Sequence, residues 1–303
     1  MDHIFCNTDT HLQSWYVACK SSEIKDKPVS IEFCSKKLCL FRDGSDQVIA
    51  LRDRCAHLGA RLSQGDVISG NIRCPFHHWE FCSTGKCTKA PGQNSTPERK
   101  VEAYPITERW GLVWIWNGPK PLFQLPHPDN GTRFLRMPPQ LIRCHPHVMI
   151  VNGLDAGHLS SLHNIKLDQV ETDQIDKFSV YTSWKGQFRS KLARLLFDPK
   201  EKGVHAKFTT CGGNLALAEI KSPIKFSMLF SGKGTSEGFC ETQTVVFMPT
   251  RMFPDILRVM LLMYYLLHQD KKILDGMEFK ADFTETDIGY ELFSKVVNQM
   301  EVW

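Results

Sequence analysis

Four residues of metal-ligating type lie close together between positions 55 and 77. Cys55 and His57 are separated by one residue, and Cys74 and His77 are separated by two. Thiolate and imidazole are the side chains that bind zinc and iron in proteins. Two such pairs can hold one tetrahedral zinc ion, or a [2Fe-2S] cluster with the cysteines on one iron and the histidines on the other.

The residues around these pairs favour the iron–sulfur cluster. The segments CAHLG and CPFHHW each follow a predicted strand and are rich in glycine, proline or aromatic residues, as expected of two loops that clasp a cluster. Trp79 and Phe81 would supply apolar cover. A zinc ribbon would present CxxC knuckles, which this chain does not contain. A single zinc ion remains the alternative.

A second group of candidate ligands follows at residues 152–163, NGLDAGHLSSLH. His158 and His163 are five residues apart, which on an ideal helix separates them by about 140° and prevents them from sharing an ion. A helix break or a π-type turn would bring them together. Asp155 lies three residues before His158, on nearly the same face. An isolated pair of histidines is more often a surface or hydrogen-bonded pair than a metal site.

Composition restricts the class of protein. The chain has 303 residues, 42% hydrophobic and 23% charged, which is sufficient for two domains, and its net charge of +4 is too small to indicate nucleic-acid binding. The N-terminus lacks a signal-peptide pattern, so we expect a cytoplasmic protein whose eleven cysteines stay reduced. The apolar run Ile256–Leu267 contains Arg258 and is too short to span a membrane, which favours a buried helix over a membrane-surface helix.

The secondary structure predicted around these ligands differs between the first third of the chain and the rest. The first third consists of short apolar and β-branched segments separated by turn residues, which predicts an all-β domain: WYVAC, KLCLFRD, QVIALRD, GNIRCPF, WEFCS and WGLVWIWNG. A Pro-rich linker follows at 118–131, so we place the two domains at residues 12–118 and 119–303. Helical patterns at 147–163 and 254–279 bracket strand patterns, which predicts an α+β second domain with an antiparallel sheet.

The stretch from Cys55 to Phe81 resembles the Rieske segment, CxH…CxxH, of the terminal oxygenase components of Rieske non-haem iron oxygenases. It is similar to the oxygenase form rather than the respiratory form, because CAHLGA and CPFHHW lack the additional cysteines that form a disulfide there. The resemblance implies an all-β Rieske domain followed by a catalytic domain of helix-grip type, an antiparallel sheet flanked by helices. It also implies the four ligands of the [2Fe-2S] cluster: Cys55, His57, Cys74 and His77.

Two residues depart from the pattern of that family. Leu58 stands where arginine is frequent, and we expect this exchange to be neutral. His78 stands where glycine usually follows the second ligand histidine, and it would bring a bulky polar ring near the cluster. The spacing assigns His77 rather than His78 as the ligand.

The resemblance extends to the second group of ligands. NGLDAGHLSSLH matches the iron motif NxxDxxHxxxxH of the family at each position, which implies His158 and His163 as two ligands of a mononuclear iron. The late acidic residues of LLHQDKKILDGMEF are Asp270, Asp275 and Glu278, of which the resemblance implies Asp270 as the third ligand. A solvated acidic helix face is the alternative.

Asp155 and Asn152 are implied to act beside the iron. In that family the matching aspartate hydrogen-bonds to an iron-ligand histidine and to a cluster histidine of the neighbouring subunit, which implies electron transfer across a head-to-tail homotrimer. The alternative for Asp155 is an acid that offsets the dipole at a helix N-terminus. Asn152 is implied to form a hydrogen bond near the iron.

The activity implied by the resemblance is oxidation of a C–H bond, most simply monohydroxylation, with dioxygen as co-substrate. Electrons would come from a ferredoxin or a flavin-dependent reductase. Basic stretches such as residues 185–194 could attract an acidic ferredoxin, and an ordinary solvated loop is an equally good interpretation of that stretch. We expect a largely apolar substrate, of polycyclic or natural-product type. CHPH at 144–147 is interpreted as a strand entering the iron helix. Two other hypotheses remain open: an electron-transfer protein whose second domain only binds a ligand, and a zinc-bearing binding module.

Overall fold

The computed structural model describes residues 8, 10–128, 133–198, 200, 202–249, 253–277, 279–280 and 282–303. It comprises two compact units, Trp15–Leu122 with Trp303, and Phe123–Val302 with the segment that ends at Ser14. The units therefore divide a few residues after the boundary predicted at 118. The segment before Trp15 joins the second unit because Leu12 pairs with Val302 and the Gln13 amide donates to the Glu301 carbonyl.

The first unit contains three small antiparallel sheets, with strand orders β1-β10-β9, β2-β3-β4 and β5-β6-β7-β8. The strands are β1 (Trp15–Lys20), β2 (Val29–Phe33), β3 (Lys36–Arg42), β4 (Val48–Arg52), β5 (Asp66–Ile68), β6 (Asn71–Arg73), β7 (Glu80–Phe81), β8 (Cys87–Lys89), β9 (Ile106–Arg109) and β10 (Leu112–Trp116). The all-β first domain is confirmed.

Strand β3 shows how the sequence builds this unit. Leu38 and Leu40 face one buried cluster while Cys39 and Phe41 face another, so both sides of the strand lie in a core. Side chains alternate between the two faces of a strand, so a strand buried on both sides requires an uninterrupted apolar run such as LCLF. The second cluster also contains the buried thiols of the two candidate cluster loops, which therefore rest on a packed core.

The second unit is built on one antiparallel sheet with the order β11-β18-β17-β16-β15-β14-β13, and β12 also pairs with β18. Its strands are β11 (Phe134–Arg136), β12 (Gln140–Ile142), β13 (Ile165–Asp176), β14 (Ser179–Phe188), β15 (Val204–Cys211), β16 (Leu215–Ser222), β17 (Phe226–Gly234) and β18 (Cys240–Phe247). Five of them, β14 to β18, correspond to the predicted strand patterns.

Among the described residues, five α-helices accompany this sheet: α1 (Pro146–Val151), α2 (Ala156–Ser161), α3 (Lys191–Phe197), α4 (Phe253–Leu274) and α5 (Ile288–Asn298). Val259 and Met263 of α4 and Phe293 of α5 share one buried cluster with strand residues such as Val180 and Val246. The α+β fold, with helices packed on an antiparallel sheet, is therefore confirmed. None of the described helices is long and apolar enough to cross a membrane.

The segment CHPH is not the strand that its pattern suggested. Strand β12 ends at Ile142, and His145 is the N-cap of α1, with Pro146 as the first helical residue. The ring of His145 accepts a hydrogen bond from the His147 amide at 3.1 Å. Proline is well suited to the first position of a helix because the amide it lacks would have no partner there.

Candidate metal centres

Three side chains from two distant stretches converge in the second unit. The Nε2 atoms of His158 and His163 lie 2.9 Å apart, and each lies 3.1 Å from Oδ1 of Asp270. Within the part of the chain that the structure describes, these residues form the one group of three or more His, Cys, Asp or Glu whose ligand atoms all lie within 4.8 Å of one another. Three lone-pair donors aimed at one point favour a cation between them.

The dimensions of this triangle indicate the coordination geometry that it fits. With metal–ligand bonds of about 2.1 Å, neighbouring ligand atoms are about 3.0 Å apart in an octahedron and about 3.4 Å apart in a tetrahedron. Edges of 2.9, 3.1 and 3.1 Å match three adjacent corners of an octahedron. Two histidines and one carboxylate on a single octahedral face are the ligand set of non-haem iron(II) oxygenases. The residues therefore fit the mononuclear iron implied by the sequence.

The path of the chain explains how histidines five residues apart share one site. Helix α1 ends at Val151, a 3-10 turn covers Asn152–Leu154, and α2 runs only to Ser161. His158 projects from α2, whereas His163 follows after the helix has ended. The separation of about 140° therefore applies only to an uninterrupted helix, which this segment does not form.

Asp270 reaches the site from α4 and is only 8% exposed. Burial acts to raise the pKa of Asp270, but hydrogen bonds and charge from the two histidines outweigh it, and the pKa lies below its ordinary value. A lowered pKa has the direction that a metal ligand requires, because a carboxyl group must be ionised to bind a metal. Asp275 lies elsewhere, exposed, and accepts a hydrogen bond from the Arg143 amide at 3.0 Å. Glu278 lies outside the described residues.

Sequence reasoning missed a glutamine that supports one of the histidines. Oε1 of Gln269 lies 3.2 Å from Nδ1 of His163, and its Nε2 donates to the Leu162 carbonyl at 3.4 Å and to the Tyr265 hydroxyl at 3.2 Å. An acceptor at Nδ1 places the proton there and leaves the Nε2 lone pair for a metal. The sequence did offer a signal, because Gln269 directly precedes the candidate ligand Asp270. A ligand histidine needs a hydrogen-bond acceptor at its second ring nitrogen, and a residue in this position can supply one.

Asn152 and Asp155 both contact His158. Nδ2 of Asn152 lies 3.2 Å from the His158 Nε2 atom, so the amide stands beside the predicted iron position. Oδ1 of Asp155 accepts the His158 backbone amide at 2.9 Å, which makes Asp155 the N-cap of α2, and Oδ2 accepts the hydroxyl of Tyr290 at 3.2 Å. Among the described residues Asp155 makes no hydrogen bond to a histidine ring. Its predicted role as an inter-subunit bridge remains a prediction.

In the first unit, the four candidate cluster ligands lie on two loops of the same design. The amide of Cys55 donates to the Ala60 carbonyl and the amide of Cys74 to the Trp79 carbonyl, both at 2.8 Å and both five residues apart. Each cysteine carbonyl in turn accepts the amide four residues later, at 2.9 and 3.1 Å. Two matched loops of this kind present a cysteine and a histidine from each side.

The matched loops explain the unusual residue at position 78. The fourth residue after each cysteine has a left-handed backbone, Gly59 with φ of +80° and His78 with φ of +56°. Glycine adopts this conformation without steric cost, which gives a physical reason for glycine at this point of the loop. The His78 side chain is exposed, so the loop accommodates it by directing it into solvent.

The two thiols are buried, and the two imidazoles lie nearer the surface. Cys55 is 5% and Cys74 is 2% exposed, and burial raises the pKa of Cys55 to about 11. The ring of His57 stacks on Trp79 with centroids 4.2 Å apart, and it lies 4.8 Å from the ring of His77, which is exposed. A cluster held here would have its cysteine-bound iron inside and its histidine-bound iron outside.

Two observations fit a binuclear cluster better than one zinc ion. Nδ1 of His57 is buried and has no hydrogen-bond partner, as expected of an atom that binds a metal. No three of the four ligand residues, all of which are described, bring their ligand atoms within 4.8 Å of one another. A tetrahedral zinc ion would require all four within about 4 Å, since zinc–sulfur and zinc–nitrogen bonds are only about 2.3 and 2.1 Å long.

A cavity of about 140 Å³ opens beside the triad in the second unit. Its polar groups lie at the metal end, where Asn152 joins the three ligands. Apart from these and Lys207, the lining is apolar and includes Leu159, Trp184, Phe188, Phe208, Met228, Phe230, Leu262 and Leu266. Lys207 also borders the cavity, but its ammonium group lies over the ring of Tyr181, 4.5 Å from its centre. The space therefore suits an uncharged molecule.

Comparison with known proteins gives concordant results. Residues 14–105 match the family of Rieske [2Fe-2S] domains. Aminopyrrolnitrin oxygenase of Pseudomonas fluorescens is 34% identical over 179 residues, 54% of this chain and 49% of that protein. 4β-Methylsterol monooxygenase of Methylococcus capsulatus is 29% identical over 221 residues, 68% of this chain and 57% of that protein.

The likeness in structure covers more of the chain. A crystal structure of dicamba monooxygenase bound to 3,6-dichlorosalicylic acid superposes with a TM-score of 0.71 at 21% identity, over 95% of this chain and 97% of the other. The whole chain therefore has the fold of that monooxygenase. By sequence, however, it spans about half the length of the first curated relatives it matches.

Proposed function

We propose that this chain, in which residues 14–105 belong to the Rieske [2Fe-2S] domain family and whose fold is that of a Rieske monooxygenase, is an oxygenase that inserts oxygen at a C–H bond. The observation that carries the proposal is the triangle of His158, His163 and Asp270 at the end of an apolar cavity. An electron-carrying domain and a separate iron site in one chain are what such a reaction needs.

The residues of each centre have distinct tasks in this proposal. Cys55, His57, Cys74 and His77 would hold the cluster, which stores one electron at a time. His158, His163 and Asp270 would hold the single iron, which when bound supplies the activation of dioxygen. Gln269 holds the His163 ring in one orientation, and Asn152 places an amide beside His158.

The cavity supports a largely apolar substrate. Its apolar walls offer dispersion contacts to a hydrocarbon body, and Asn152 and the three candidate metal ligands lie at one end. Lys207 is the one lysine or arginine among the described lining residues, and its ammonium group lies over the Tyr181 ring, so the cavity offers little to a free carboxylate on the substrate. A polycyclic substrate is supported by similarity to a protein named as a sterol monooxygenase. We propose monohydroxylation as the simplest outcome.

We further propose that electrons arrive from a ferredoxin or a flavin-dependent reductase and pass between subunits of a head-to-tail homotrimer. The exposed side chains of His77 and Phe76 support electron entry at the edge of the cluster, because a partner can approach them closely. Asp155 would then carry the hydrogen-bonded connection to the iron of the next subunit.

Metal analysis of protein purified without oxygen tests this function. We expect a red-brown protein with a reducible cluster, seen by EPR, and one further iron per chain. Asp270→Ala should lose the further iron and turnover but keep the cluster signal, because the two centres share no ligand. Asp275→Ala is the matched control and should keep both.

Two outcomes would contradict the proposal. A cluster without further iron in the wild-type chain would identify an electron-transfer protein, and a colourless protein that contains zinc would identify a zinc-bearing module.

A further inference from the structure

The outward side of α4 is apolar where a surface helix is normally polar. Its exposed positions recur at helical spacing, and the hydrophobic residues among them in the first part of the helix are Leu257, Leu261, Tyr264 and Tyr265, with Ile273 near its end. Tyr264 is 69% exposed, and its ring stacks on the exposed His268. The opposite side of the helix packs in the core through Val259 and Met263, so the exposed apolar stripe is additional to what the fold needs.

Helix α3 extends this apolar surface. It packs against α4, and its Phe197 and Ala193 lie in a cluster with Leu262 of that helix. Its outward residues Leu192 and Leu195 are 64% and 68% exposed. The name α3–α4 face is used below for these exposed side chains: Leu192, Leu195, Leu257, Leu261 and Tyr264.

The chain that leads into and forms α3 is positively charged. Residues 177–197 contain five lysines and arginines and no acidic residue. Arg189 and Lys191 are exposed and Arg194 is half-buried, and none of the three forms an ion pair with a described residue. The exposed leucines of α3, Leu192 and Leu195, therefore share one short segment with cations that form no ion pair with a described residue, and α3 packs against α4.

We propose that the α3–α4 face binds the surface of a membrane that contains anionic lipids. Exposed leucines can enter the boundary between headgroups and acyl chains, and tyrosine favours that boundary because its ring is apolar and its hydroxyl is polar. Unpaired lysine and arginine residues attract anionic headgroups. A bilayer supplies both kinds of partner at every point, whereas a protein would need a matching apolar patch within an acidic surface.

The proposal assigns a role to the basic stretch at 185–194 that differs from docking of an acidic ferredoxin. It does not depend on oxygenase activity, because it rests on surface residues and is tested by binding alone. Tyr265 is left out of the test, since its hydroxyl accepts a hydrogen bond from Gln269 beside the iron site.

Co-sedimentation of the complete, metal-loaded chain with lipid vesicles tests this surface. We expect binding to vesicles of phosphatidylcholine with about one third phosphatidylserine, weaker binding to phosphatidylcholine alone, and release at high salt. The triple variant Arg189→Gln/Lys191→Gln/Arg194→Gln should lower the partition coefficient about 100-fold, since each cation contributes roughly fivefold near an anionic surface. Leu261→Gln/Tyr264→Gln should lower it about tenfold or more.

Leu141→Gln is the matched control, since Leu141 is also exposed but lies on β12, outside the α3–α4 face, and this variant should bind as the wild type does. The proposal is wrong if the wild type does not bind anionic vesicles, or if the control loses as much binding as Leu261→Gln/Tyr264→Gln. It is also wrong if that variant instead dissociates an oligomer in light scattering, or abolishes binding of an acidic [2Fe-2S] ferredoxin while vesicle binding persists.

Discussion

At the scale of single residues, the hydrogen bond between His163 and Gln269 makes a measurable prediction. Gln269→Leu removes the acceptor at Nδ1 of His163, so the ring loses its fixed orientation and proton position. We expect the affinity of the mononuclear site for iron(II) to fall by about 10 to 100-fold, as is typical for loss of such a partner. Gln269→Glu keeps an acceptor and should retain the affinity.

Titration of iron(II) against a competing chelator measures this effect, and the EPR signal of the cluster should not change. Gln187→Leu is the control, because Gln187 is an exposed glutamine on β14. Equal affinities of the Gln269→Leu variant and the wild type would show that the Gln269 contact does not position the histidine.

Asp155 combines two roles that a pair of substitutions separates. Asparagine is as good an N-cap as aspartate, so Asp155→Asn should keep α2 intact while removing the negative charge. Asp155→Ala should lower the free energy of unfolding by about 1 kcal/mol, because the His158 amide then loses its acceptor. If Asp155 is the electron bridge, both variants keep both metals but lose turnover.

Melting temperature and single-turnover reoxidation of the reduced cluster measure the two roles. Full turnover in the Asp155→Asn variant would leave helix capping as the function of this residue. A further variant, Tyr290→Phe, removes only the hydrogen bond to Oδ2 of Asp155. Its turnover measures how far that hydrogen bond orients the carboxylate.

At the scale of elements, the two matched cluster loops predict how position 78 responds to substitution. His78 has φ of +56°, a conformation that disfavours L-residues and strongly disfavours β-branched ones. His78→Gly relieves this strain but makes the unfolded chain more flexible, so the unfolding free energy should change by less than about 0.5 kcal/mol. His78→Val should destabilise the loop by about 1 to 2 kcal/mol.

Thermal loss of the visible absorption of the cluster measures the stability of this loop. The control is Leu58→Val in the other loop, because Leu58 is 67% exposed and lacks a positive φ. If valine at position 78 is tolerated as well as glycine, the left-handed turn is not a constraint on this loop.

Another element, β13, shows a limit of pattern reasoning. Its sequence, IKLDQVETDQID, is mainly polar, and most of its residues are exposed or half-buried. The strand forms because it hydrogen-bonds along the whole length of β14 at the edge of the sheet. An edge strand needs little apolar surface, so its pairing partner rather than its composition determines its conformation.

At the scale of the whole molecule, the proposed homotrimer predicts that defective subunits complement one another. Cys74→Ser should destroy the cluster and Asp270→Ala the iron site, and each variant alone should be inactive. In mixed trimers, electrons pass from the cluster of an Asp270→Ala subunit to the iron of a Cys74→Ser neighbour, so activity should return. Light scattering should give a mass of about 104 kDa, three times the chain mass of 34.7 kDa.

Co-expression of the two variants, followed by a turnover assay, is the measurement. Wild-type trimers and unmixed variants provide the upper and lower controls. Mixed trimers that remain inactive, although light scattering shows them to be assembled, would contradict transfer between subunits.

The sequence alone determined the features that depend on neighbours along the chain. The candidate cluster ligands could be proposed from the sequence because each Cys and His pair lies on one short loop, where spacing restricts geometry. Strands such as β3 were predictable because a short uninterrupted apolar run between turn residues is typical of a strand that is buried on both faces. The match to the iron motif likewise indicated His158 and His163 as candidate ligands within one segment of twelve residues.

Only the tertiary structure decided which residues from distant segments join them. Of the acidic residues that the sequence offered, it placed Asp270, which the resemblance implied, beside histidines more than a hundred residues earlier, and it added Gln269 there and Tyr290 beside Asp155. It also showed that the apolar run of α4 is half core and half exposed face, which composition cannot distinguish. The physical reason is that packing of a helix against a sheet fixes which side of each element is buried, and no local pattern contains the identity of the opposing surface.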